Sequence, residues 1–175
     1  MADTRFHTEN NDVVLIRRFD APRPLVFQAW TDPQMMAAWF GPGEFTASAT
    51  ADARQGGRFT ITMHGPDGTD YPIDGEFAEF VRDEHLVMTM SADRHPPEWH
   101  AMIRKAYIET GGDPETYASG PIRTRVDFSD SGDGTLVTVR QTFPSGALRD
   151  AHATLGNPTG WSQSFDKLDT VLAGR

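Results

Sequence analysis

The sequence contains no cysteine. That single absence removes disulfide frameworks, thiolate nucleophiles and cysteine-based zinc sites together. Long apolar runs are missing too: no stretch approaches 18 consecutive apolar residues, so no membrane insertion is expected. Residues 1–11 are polar and mixed in charge, without the apolar segment of a signal peptide, and a cytoplasmic location is expected by elimination. Positive charge is in short supply. Lys and Arg number 16 against 25 Asp and Glu, a formal net charge of −9. Phosphate backbones are repelled at long range by such a chain, so no nucleic-acid partner is expected. Anionic membrane surfaces are disfavoured for the same reason.

Catalytic signatures are also lacking. No serine lies in a nucleophile elbow. Gly41-Pro42-Gly43 and Gly56-Gly57 lack the Lys-Ser/Thr ending of a phosphate loop and read as turns. His95, Glu98 and His100 lie close in sequence, but not in the His-Glu-x-x-His pattern, and histidines five apart do not share a helix face. They read as a solvated polar cluster, with His7, His64, His85 and His152 scattered elsewhere. Neither a metal nor any other cofactor is expected, and the balance is against an enzyme.

What is present is a period of two. Val13–Phe19 is β-branched and apolar, and Pro22 and Pro24 end it and set up a helix over Pro24–Trp30. A second helical turn runs through Met35, Met36 and Trp39 to Phe40. Alternation then appears in Phe45–Ala51, Arg58–Met63, Phe77–Val81 and Leu86–Met90, and again in Arg123–Phe128 and Val137–Phe143. Turn residues separate these stretches, the mark of an antiparallel meander with one buried face. An amphipathic helix interrupts it over 96–110, with Trp99, Met102, Ile103, Ala106 and Tyr107 on one stripe. Asn157-Pro158-Thr159 opens a closing helix in which Trp161, Phe165, Leu168 and Leu172 recur at i, i+4, i+7 and i+11.

The pieces Arg17-Arg18-Phe19-Asp20-Ala21-Pro22, Thr31-Asp32-Pro33, Trp39-Phe40-Gly41-Pro42, Gly56-Gly57-Arg58-Phe59 and Gly75-Glu76-Phe77 follow in order. Gly160-Trp161-Ser162-Gln163-Ser164-Phe165-Asp166-Lys167-Leu168 completes the set. In these the chain resembles the START-like (SRPBCC) superfamily, and within it the homologues of the activator of the 90-kDa heat-shock protein ATPase. The resemblance implies an α+β helix-grip fold, a curved antiparallel sheet wrapped around a long C-terminal helix. Short N-terminal helices and one inserted helix complete it. A flexible arm is expected over 1–11 and the domain over 12–175, with 93–120 as an insertion longer than a minimal member's hairpin.

The functional expectation is a cavity between sheet and helix that binds a hydrophobic or amphipathic small molecule, lipids included. Its walls are expected from the strand positions Phe59, Ile61, Met63, Phe77, Met88 and Met90. The helix residues Trp161, Phe165 and Leu168 face them, with Met102 from the insertion. Glu79 and Gln141 are polar residues on the inward parity, where burial is costly unless they are paired. The inserted helix is read as a lid over the mouth, or alternatively as a packing or homodimer element. The same pocket admits a cyclase- or aromatase-like enzyme. The outer surface admits a chaperone-activating module, although the chain shows no counterpart of the extra N-terminal domain of eukaryotic activators.

Overall fold

The computed structural model describes residues 3–175. Eight strands form one antiparallel sheet: β1 (Arg5–Glu9), β2 (Asp12–Phe19), β3 (Thr46–Ala51), β4 (Arg58–His64), β5 (Asp70–Val81), β6 (His85–Ser91), β7 (Ile122–Ser131) and β8 (Gly134–Thr142). Their spatial order is β1-β2-β8-β7-β6-β5-β4-β3. The helices are α1 (Arg23–Ala29), α2 (Pro33–Trp39), α3 (Pro97–Glu109), α4 (Gly146–Thr154) and α5 (Asn157–Ala173), with a 3-10 turn at Pro114–Thr116. This is the expected α+β helix-grip architecture. The α1–α2 pair carries the chain across the molecule, because β2 and β3 lie near opposite edges.

Local chemistry sets the helix starts. Prolines occupy the first turn of α1, α2, α3 and α5, where a missing N–H costs nothing. Asp32 caps α2, its carboxylate accepting from the Met35 N–H at 3.0 Å. One face of α5 then buries Trp161, Phe165, Leu168 and Leu172 against the sheet and the N-terminal helices. Trp30 and Trp39 meet there at 4.8 Å, and the Trp39 indole N–H donates to the Ala29 carbonyl at 2.8 Å. Phe19 and Phe165 meet edge to face at 5.5 Å.

Three expectations change. The expected N-terminal arm contains β1, an edge strand paired with β2 from Arg5↔Ile16 to Glu9↔Asp12. Its hairpin turns at Asn10, whose φ of 50° suits asparagine. A further helix, α4, fills the stretch between β8 and α5. Finally, β5 carries a bulge: Phe77 pairs with Met88 but Glu79 pairs with Val87. The extra residue inverts the parity of everything after Phe77. Phe80 therefore turns inward onto Phe27 and Phe77, at 5.3 and 5.6 Å, and Val81 turns out.

Candidate functional site

The two halves of α5 meet different surroundings. In the C-terminal half Phe165, Leu168 and Leu172 are packed shut. Beside the N-terminal half a cavity of about 280 Å³ remains, bounded by the sheet, α3 and the α4–α5 turn. Met63, Ile73, Met90, Ile122 and Gln141 supply its floor, one each from β4 to β8. Trp161 and Ser164 form the α5 wall, and Trp99, Met102 and Ile103 the opposite one. A 150 Å³ cavity holds one benzene, so this one has room for roughly a fused bicycle. Met102 and Leu155 line it yet are 45% and 41% exposed, which places them at its mouth.

The walls are held by specific bonds. The Trp161 indole stacks on Trp30 at 5.9 Å and 18°. Its N–H donates to Gln141 Oε1 at 3.0 Å, and Asn157 Nδ2 donates to the same oxygen at 3.1 Å. Gln141 thus joins β8 to two successive turns of α5, and its buried carbonyl is satisfied. On the other side Lys167 donates to the carbonyls of Gly41 and Phe45, both at 2.7 Å, pinning the loop whose Gly41 and Pro42 border the cavity. Burial pushes the Lys167 ammonium below its usual range.

Polar character gathers at one end. His95, in the loop before α3, and His152, on α4, both line the cavity and both are over nine-tenths buried. They flank the Trp99 indole at 4.5 and 5.9 Å. Neither ring nitrogen of His95, nor Nε2 of His152, has a hydrogen-bond partner in the protein. Leaving such a group unsatisfied costs about 1–3 kcal/mol. Burial, with His100 nearby, pushes His95 down to about 4; burial, with His95 nearby, pushes His152 down to about 4. Both rings are therefore neutral at pH 7. The loop bearing His95 is anchored by Arg94, which grips Asp74 with two bonds of 2.6 and 2.7 Å. That guanidinium holds the Asp74 carboxyl below the usual range. No Asp, Glu, Lys or Arg among the described residues lines the cavity.

A family model described as "Activator of Hsp90 ATPase homolog 1-like protein" matches residues 20–173. The chain belongs to that family. Solved structures agree on the fold of this activator-homologue domain. A crystal structure from Nitrosomonas europaea is 21% identical with a TM-score of 0.75, covering 96% of this chain and 97% of that one. One from Rhodobacter sphaeroides is 15% identical with a TM-score of 0.78, covering 98% and 99%. A solution structure from Arthrobacter aurescens is 21% identical with a TM-score of 0.77, covering 98% and 92%. No curated protein matches the chain.

Within this activator-homologue domain the anticipated cavity residues divide. Met63, Met90, Met102, Trp161 and Gln141 border the space. Phe59, Ile61, Phe77, Met88, Phe165 and Leu168 do not; they are buried in the solid core alongside it. Curvature brings Phe59 and Phe77 together at 5.0 Å. Gly75, opposite Phe59, makes room for that ring: a Cβ there would sit 2.2 Å from the Phe59 Cζ. Glu79 is corrected outright. The bulge turns it to the outer face, where it accepts from His85 at 3.0 Å and lies near Arg123 and Arg125.

The polar cluster read at 95–100 also changes, because His95 is buried in the cavity wall. Sequence reasoning missed both cavity histidines. His152 has a local signal in hindsight: Ser145 caps α4 at the Leu148 N–H, and Leu148, Ala151 and His152 then share the buried stripe. The inserted helix is not free along its length. Ile103, Ala106 and Tyr107 are buried, and Thr110 Oγ1 donates to the Ala147 carbonyl at 2.8 Å, tying α3 to α4.

Proposed function

We propose that this chain binds a hydrophobic or amphipathic small molecule in the cavity beside the N-terminal half of α5. The observation that carries the reading is the contrast along that helix. Side chains of similar bulk close one half of the interior, while the other half keeps an apolar space free of charged groups. Pockets of this kind are default binding sites. The fold of the family supports the reading, and the ligand follows from the cavity's own chemistry.

Native mass spectrometry of the purified protein, joined to a melting-temperature screen of lipids and small aromatics, tests it. A ligand that raises the melting point of the native protein is expected to lose that effect in Ser164→Phe, which fills the α5 wall. Stabilisation unchanged by Ser164→Phe, or none across the screen, would count against an internal site. A chaperone contact through an outer surface would be indifferent to the same substitution.

A further inference from the structure

We infer that Ser48, His64 and Asp70 form a second site, on the outer face of the sheet: a serine nucleophile with its base, which takes the acyl group from small esters of acidic alcohols. It stands apart from the cavity and does not depend on the container reading.

Three strands bring the group together. His64 ends β4 and Asp70 begins β5, and the two pair directly across the hairpin. The turn between them is fixed: the Gly65 N–H donates to the Thr69 carbonyl at 2.8 Å, and the Thr69 N–H donates to Asp67 at 2.9 Å. Ser48 stands on β3 diagonally from His64, since Thr46 pairs with His64 and Ser48 with Thr62. Met63 lines the cavity, so its neighbour His64 faces outward, and Ser48 and Asp70 share that face. His64 Nδ1 lies 2.7 Å from Asp70 Oδ1, and His64 Nε2 lies 3.1 Å from Ser48 Oγ. A carboxylate only accepts, so Asp70 takes the Nδ1–H, and Nε2 of the neutral ring is left bare to accept from the Ser48 hydroxyl. That is the polarity that activates a hydroxyl: the base faces it, and the acid holds the base in the right tautomer.

Exposure sets the substrate class. The His64 and Asp70 side chains are 37% and 59% exposed, Ser48 is exposed, and β3 is the edge of the sheet. Ser48 Oγ bonds to the ester carbonyl carbon as its proton passes to His64 Nε2. The tetrahedral adduct collapses, the bond to the leaving oxygen breaks, and the His64 proton departs with that oxygen. Water, giving a proton to His64 in its turn, attacks the acyl-serine. The carboxylic acid leaves, the Ser48 hydroxyl is restored, and the net change is ester plus water to acid plus alcohol. Asp70 touches neither ester nor water and is a positioning residue. On this open face solvent meets the developing oxyanion, so esters whose leaving group is a stabilised phenolate are the ones that react. The same openness suits short acyl chains.

The experiment applies a fluorophosphonate probe and 4-nitrophenyl acetate to the whole chain at pH 8. Peptide mapping by mass spectrometry is expected to find the fluorophosphonate on Ser48, attached about a hundredfold more slowly in His64→Ala, the loss typical of a positioned base. Nitrophenolate release should fall about tenfold in Ser48→Ala, the remainder being ordinary catalysis by exposed imidazoles. Nitrogen-15 spectra should show His64 protonated at Nδ1 in the wild type, and that preference should disappear in Asp70→Ala together with the fast labelling. Should His64→Ala melt early, His64→Gln takes its place. Failure of the probe to reach Ser48, labelling of Ser48 at an equal rate without the imidazole, or release unchanged in Ser48→Ala overturns the proposal. The three side chains are then a surface hydrogen-bond ladder and nothing more.

Discussion

An imidazole buried without a partner is a base kept from its proton, and the two at the cavity end carry a consequence for stability. The folded values of His95 and His152 lie at about 4, below the 6.5 of a solvated histidine. Between those values the unfolded chain binds protons that the folded chain refuses. Their contribution is therefore intact above pH 6.5 and is lost as pH falls toward 4. From pH 8 to pH 5 the expected loss is about 2 kcal/mol for each imidazole. Urea denaturation at pH 8, 6 and 5 measures it. His95→Phe/His152→Phe should flatten the profile above pH 5, and an unchanged slope in that variant would assign the acid sensitivity elsewhere. Neither histidine was legible as a site in the sequence, because burial is a tertiary fact. His95 lies beside polar neighbours, and its own exposure is decided by Trp99 and Tyr71, which the fold brings against it.

At the scale of elements, the join between β2 and α5 is held by a charge. Arg17 points inward from β2 with its side chain 1% exposed, and bonds Asp166 Oδ1 at 2.7 Å and also Asp169, one turn on. The two carboxylates are 50% and 21% exposed, so the pair is asymmetric in burial. Removing the acids strands a buried cation, whereas removing the cation leaves acids that water still reaches. Asp166→Ala/Asp169→Ala is expected to cost about 3–5 kcal/mol, and Arg17→Met distinctly less. Paired denaturation curves check it; the reverse order would refute the burial argument. On the opposite face of α5, Lys167→Met should cost about 1–2 kcal/mol by freeing two carbonyls. Faster amide exchange at 41–46 is the local readout. Strand and helix periodicities were legible because apolar residues recur on one face. Nothing in a period-two pattern announces the bulge after Phe77, which inverted Glu79, and α4 has too few large apolar residues to stand out.

For the whole molecule, the sequence carried the architecture because a curved sheet and a long amphipathic helix can bury their faces only in each other. It did not carry where that burial would be incomplete. Phe165 and Trp161 sit one turn apart on the same stripe, and only Trp161 borders open space. The difference comes from what the insertion and α4 bring to that end of the sheet. How a ligand would reach the cavity follows from the same arrangement. The C-terminal part of α3 is fixed through Ile103, Ala106, Tyr107 and the Thr110–Ala147 bond. Its outer side chain Met102 and, across the mouth, Leu155 are the exposed members of the lining. A lid that lifts as a whole helix would have to break those contacts, so exchange is expected to pass between Met102 and Leu155. Hydrogen exchange should then show amides 103–110 as protected as the central strands, with or without ligand. Met102→Ala/Leu155→Ala should raise the on-rate by widening the mouth and raise the off-rate more, because both side chains also line the cavity. Ligand-dependent protection spread evenly along α3, with rates indifferent to the double substitution, would instead mean that the whole helix moves.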